Sequence, residues 1–138
     1  KPQVSFFERF GSAGFAALED VLTAARDAGL VVIADAKRGD IDTTMDAYAA
    51  AWFTPGSPLE ADALTVNPFL GVGSLASTFA LAEEAGKGVF VLAATSNPEA
   101  ATVHVRRTTG ASRPRSSPMS AHATPGRHRK ANGRASVS

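Results

Sequence analysis

Apolar and polar positions follow two different periods along the first hundred residues. Phe15, Leu18, Val21, Leu22 and Ala25 recur at steps of three and four. That stripe predicts an amphipathic helix, begun at Gly11 or Ser12 and stopped by Gly29. Ahead of it, residues 3–7 read as a short extended segment. Residues 30–34 (Leu-Val-Val-Ile-Ala) are nearly all apolar, as expected of a strand covered on both faces. Residues 63–66 and 89–93 repeat that pattern. Between these runs, Asp42 or Thr43 can cap a helix reaching about Trp52, and residues 55–58 (Pro-Gly-Ser-Pro) form a loop. Ser74 can cap a further helix to about Ala85, ended by Gly86-Lys-Gly88.

Strands alternating with helices every 25–35 residues predict βαβ units and a parallel sheet. In such folds ligands bind at the carboxyl ends of the strands. Asp35, Lys37, Asn67 and Ser96 all fall at predicted strand ends.

Charge divides the chain in two. Residues 1–100 carry all thirteen acids and six bases, a net of −7; residues 101–138 carry eight bases and no acid, a net of +8. All three histidines lie in the second part, and all ten aromatics in the first. Rich in Arg, Ser, Pro, Thr, Ala and Gly, residues 101–138 cannot offset chain entropy by burial and are expected to be disordered. The 138 residues contain no cysteine, which excludes disulfides, thiolate metal sites and a Cys nucleophile. No apolar run approaches the roughly 20 residues that cross a bilayer. The opening residues lack the order of a signal peptide, so a cytoplasmic location is expected. The lack of an initiator Met points to a processed or missing beginning.

The densest chemistry is Asp35-Ala-Lys37-Arg-Gly-Asp40-Ile41. An apolar run ends there in four charged residues within six positions. Side chains two apart on a strand share a side, so Asp35 and Lys37 are expected to face each other's neighbourhood. Acid, base and acid at the end of a buried strand cost folding energy unless paired, and such clusters tend to mark chemistry.

This heptad matches the D-x-K-x-x-D pattern of the orotidine 5′-phosphate decarboxylase suprafamily, and three more segments resemble that family in the same order. Lys1-Pro-Gln-Val-Ser-Phe-Phe-Glu8 is similar to the preceding strand of the bacterial enzymes. Asp62-Ala-Leu-Thr-Val-Asn-Pro-Phe-Leu-Gly71 and Val91-Leu-Ala-Ala-Thr-Ser-Asn-Pro-Glu99 are similar to the next two strand ends. The resemblance covers about residues 1–100 and implies an α/β fold, a partial TIM (β/α)₈ barrel of about half the full set of units. It implies that Lys37 stabilises the carbanion left at C6 and donates its proton, as a lysine can and an arginine cannot. It implies further that Asp35 holds Lys37, that Lys1 joins the network, and that Asp40 and Ile41 reach the site of a second subunit in a homodimer. Thr44 matches a nucleotide-contacting position, and Ser96 one that hydrogen-bonds the pyrimidine; both also suit a helix start and a turn. The implied substrate and product are orotidine 5′-phosphate and UMP, with no metal or organic cofactor. Arg38 reads as a surface or interface charge, and Phe6, Phe7, Phe15 and Trp52 as core or dimer packing.

A complete barrel takes about 200–250 residues. The family's first strand and its later glycine-rich phosphate-binding loop have no counterpart here. The abrupt change near residue 100 has the pattern of a shifted reading frame, so the chain is expected to be an inactive fragment. One alternative within the suprafamily is a Mg²⁺-using sugar-phosphate lyase, of the hexulose-phosphate synthase or ketogulonate-phosphate decarboxylase kind. Another is a non-functional fragment whose basic tail binds nucleic acid, a reading weakened by the tail's lack of aromatics.

Overall fold

In the computed structural model, the structure describes residues 1–100, so the tail and the domain boundary predicted for it lie outside the described residues. The element order is α1 (Ser5–Glu8), α2 (Gly11–Asp27), β1 (Ile33–Arg38), α3 (Asp42–Phe53), β2 (Ala63–Val66), a 3₁₀ turn (Val72–Leu75), α4 (Ala76–Ala85) and β3 (Gly88–Val91). The strands form one parallel sheet in the order β1-β2-β3. Gln3 adds a parallel bridge to Asp35 on the outer edge of β1. Consecutive strands joined by helices are the βα repeat that the alternating pattern predicts. Among the described residues no helix is long and apolar enough to cross a membrane.

The core is built where the helical stripes meet the sheet. Leu18 and Leu22 of α2, Met45, Ala49, Trp52 and Phe53 of α3, and Ala34, Leu64 and Val66 of the strands are buried in one cluster. All of β2 is buried, as a central parallel strand should be. Gly29, at φ 70, ends α2 as the left-handed residue of a Schellman turn. Its N–H donates to the Arg26 carbonyl and the Leu30 N–H to the Ala25 carbonyl.

Several boundaries differ from the sequence reading. Residues 3–7 are not extended: after Gln3 the chain turns into α1, with the Phe7 and Glu8 N–H groups donating to the Val4 carbonyl. That turn packs Phe7 on the core and leaves Phe6 exposed. The first strand begins at Ile33 rather than Leu30 and runs through Asp35, Lys37 and Arg38. Val31, 82% exposed, and Leu30 belong to the connection after the Schellman turn; apolarity alone overstated their burial. Val21 of the α2 stripe is likewise exposed. Neither Asp42 nor Thr43 caps α3 through its side chain; Ile41 occupies the cap, and Asp42 opens the helix at φ 48. Ser74 lies inside the 3₁₀ turn and donates to the Gly71 carbonyl instead of capping α4. β3 ends at Val91, although the Leu92 N–H still donates to Val66.

The α1–α2 corner depends on one missing side chain. A Cβ at Gly14 would lie 1.8 Å from the Phe7 carbonyl oxygen, and backbone cannot yield cheaply. At Gly73 an added Cβ meets nothing within 4 Å. Gly14→Ala is therefore expected to destabilise by about 1–3 kcal/mol, as overpacking does. Gly73→Ala should be near neutral. Urea unfolding midpoints of the two variants check the contrast.

Candidate active site

The site grows from one buried carboxylate. Asp35 is 6% exposed, and a lone charge there would be prohibitively desolvated. Three donors meet it. Lys1 Nζ donates to Oδ2. Lys37 Nζ donates to Oδ1 at 2.5 Å and Thr65 Oγ1 to the same oxygen at 3.0 Å. Burial pushes the carboxyl pKa up, but the hydrogen bonds from Lys1, Lys37 and Thr65 outweigh it and bring it down from 3.8 to about 2. The carboxylate is thus ionised across the physiological range.

Two ammoniums around one carboxylate leave the cluster with an excess of positive charge. Lys37 also donates to Gln3 Oε1 at 3.3 Å. Its side chain remains 47% exposed, so the ammonium is held from one side and open on the other. A fixed cation at the carboxyl end of a parallel strand, open to a ligand, can stabilise developing negative charge and give up a proton.

The backbone here is irregular. β1 pairs in step with β2 at Ile33↔Ala63 and Ala34↔Leu64, then shifts so that Arg38 pairs with Val66. Lys37 sits inside that irregularity at φ 51, in the left-handed region. The expected side-sharing of Asp35 and Lys37 is met through this bulged geometry rather than along a flat strand. Gly39 follows because a Cβ there would meet the Asn67 carbonyl oxygen at 2.2 Å. Arg38 pairs with Glu8 and lies 5.4 Å from the Tyr48 ring centre, which makes it a tie between elements rather than a free surface charge.

Four other predicted residues stand apart from the cluster. Asp40 accepts from the Ile41 N–H at 2.8 Å. Ile41 is half exposed, Thr44 is exposed in the first turn of α3, and Ser96 is exposed beyond β3. Among the described residues no hydrogen bond joins any of them to Asp35 or Lys37. Conversely, Thr65 and Gln3 belong to the network and escaped the sequence reading. Thr65 had one signal: a hydroxyl in a strand buried throughout needs a partner.

Comparison with known proteins follows the same geometry. The family model for the orotidine 5′-phosphate decarboxylase / HUMPS family matches residues 1–116. The chain belongs to that family. A Corynebacterium efficiens orotidine 5′-phosphate decarboxylase is 65% identical over 100 residues, covering 72% of this chain and 36% of the relative. A Salinispora arenicola orotidine 5′-phosphate decarboxylase is 57% identical over 110 residues, covering 80% and 40%. The solved structure of Leishmania donovani OMP decarboxylase superimposes with a TM-score of 0.67 at 41% identity, over 79% of this chain and 41% of that one. A Streptomyces avermitilis crystal structure carrying the same enzyme assignment gives 0.73 at 59% identity, over 74% and 36%. The fold is therefore part of a TIM barrel, and the chain spans about two fifths or less of the length of these relatives. The family match runs to residue 116, past the change in charge near residue 100 that bounded the resemblance in sequence.

A carboxylate whose pKa is depressed contributes stability above its unfolded value and loses it as pH falls through the folded value. For Asp35 the window runs from about 4 down to about 2. The contribution is about 2 kcal/mol. Urea unfolding from pH 5 to pH 2 should show that much less acid dependence in Asp35→Asn; parallel pH profiles for the two proteins would contradict the pairing.

Proposed function

We propose that residues 1–100 are the part of an orotidine 5′-phosphate decarboxylase that carries its reacting charges. The observation that carries this reading is the Lys37 ammonium, fixed by a buried, ionised Asp35 and open on its other side. In the reaction the bond between C6 and its carboxylate breaks, the electron pair stays on C6, and CO₂ leaves. The adjacent ammonium stabilises the growing negative charge without reorganising, then transfers a proton to C6 and becomes a neutral amine. Solvent returns that proton. UMP is the other product.

Asp35 holds the ammonium and lies near the departing carboxylate, and Lys1 neutralises its second oxygen. Asp40 and Ile41, which share no hydrogen bond with Asp35 or Lys37 among the described residues, serve the site of a partner subunit in a homodimer. Thr44 contacts the nucleotide, and Ser96 hydrogen-bonds the pyrimidine. The excess positive charge of the cluster suits an anionic substrate. The curated relatives described above all bear the nucleotide enzyme's name, which favours this reading over a sugar-phosphate lyase.

The decarboxylation needs binding energy from the phosphate as well as charge at C6. Spanning 36% of the length of the Corynebacterium efficiens relative, the 138-residue chain alone is expected to show no turnover of orotidine 5′-phosphate. A chimera in which residues 1–100 replace the matching 100 residues of the Corynebacterium efficiens relative should decarboxylate it. In that chimera Lys37→Ala should lower kcat at least about 10³-fold, a loss of the size found when a preorganised donor is removed. Lys37→Arg should not restore it, because arginine does not release its proton. An inactive chimera, or full activity in Lys37→Ala, would overturn the proposal.

A further inference from the structure

The ladder between β1 and β2 fails at the residues the reaction needs. From Ala34 to Arg38 the chain advances four positions, while β2 advances two, from Leu64 to Val66. The surplus is a bulge, and a bulge leaves backbone groups without ladder partners. The Asp35 N–H is not one of these: it faces the outer edge and donates to the Pro2 carbonyl at 3.0 Å, within the bridge to Gln3. The Lys37 N–H turns toward β2 and donates to the Thr65 hydroxyl oxygen at 2.9 Å. That oxygen donates its own proton to Asp35 Oδ1 at 3.0 Å.

A hydroxyl offers one donor and two acceptor positions, so a single Thr65 can do both at once. It thereby ties the main chain of Lys37 to the carboxylate that holds the Lys37 ammonium. Both ends of the lysine are referred to one atom. The hydroxyl itself is well anchored: Thr65 is buried on the middle strand, with Leu64 and Val66 on either side of it and Phe90 its partner across β3. A β-branched side chain in a strand has few rotamers, so the oxygen is not free to wander.

We propose that Thr65 is a positioning residue for decarboxylation. Its hydroxyl holds the left-handed Lys37 backbone and the Asp35 carboxylate in one register, and so fixes where the ammonium stands relative to C6. This rests on the decarboxylase reading of the site. Thr65 does not touch the nucleotide in this account, so it acts on the chemical step and not on substrate affinity.

The test uses the chimera with residues 1–100 in the Corynebacterium efficiens relative. Thr65→Val keeps the shape and removes the hydroxyl. It should lower kcat about 10- to 100-fold, the cost of a reacting group misplaced by an ångström or less. The KM for orotidine 5′-phosphate and the affinity for UMP should stay unchanged. Thr65→Ser, which keeps the hydroxyl, should recover most of the lost kcat. If Thr65→Val does not fold, Thr65→Ala carries the same expectation against Thr65→Ser. Unchanged kcat without the hydroxyl, a rise in KM that matches the fall in kcat, or failure of serine to rescue would overturn the inference. An unsubstituted chimera without activity would instead overturn the proposed function beneath it.

Discussion

The pairing of buried Asp35 with two ammoniums is the constraint on which the site depends. A carboxylate this deep cannot remain ionised alone. Lys1 arrives from the chain ahead of α1, Lys37 from two residues further along β1, and Thr65 from β2. The carboxylate thus joins three segments that are otherwise held together by backbone bridges and apolar packing. Removing one donor would leave Asp35 with fewer partners to offset its burial. The network therefore serves folding and presentation of Lys37 together.

Local irregularities follow from that constraint. An unbroken parallel ladder would fix the β1 backbone at the spacing of β2. The bulge and the left-handed Lys37 release it, and Thr65 accepts the N–H left over. Gly39 then lets β1 pass close to Asn67, whose N–H donates to the Arg38 carbonyl at 2.6 Å. Away from the site, the sheet is held by more ordinary means. Glu60 accepts from the Lys87 ammonium at 2.7 Å and from the Gly56 N–H, and these bonds lower its pKa.

How much of this was legible in the sequence depended on whether the signal was local. The strand at 63–66 was read correctly because both faces are buried and apolarity reports burial directly. The same rule misplaced β1, since Leu30 and Val31 are apolar yet exposed, while the charged Asp35, Lys37 and Arg38 are in the strand. Asp35 and Lys37 were legible as a costly pair within one short segment. Thr65 and Gln3 were not, because their roles exist only where separate segments meet. The side-chain caps expected of Asp42 and Ser74 failed because backbone geometry at Ile41 and Leu75 starts those helices.

The central claim is that the Lys37 ammonium exchanges a proton with C6. By microscopic reversibility, the amine form must also remove the C6 proton of UMP. The direct measurement is exchange of that proton for deuterium, followed by NMR, when UMP is held in D₂O with the chimera bearing residues 1–100. Exchange well above the uncatalysed background, abolished in Lys37→Ala while UMP still binds, is the result this account predicts. Exchange that persists at full rate without Lys37 would contradict it.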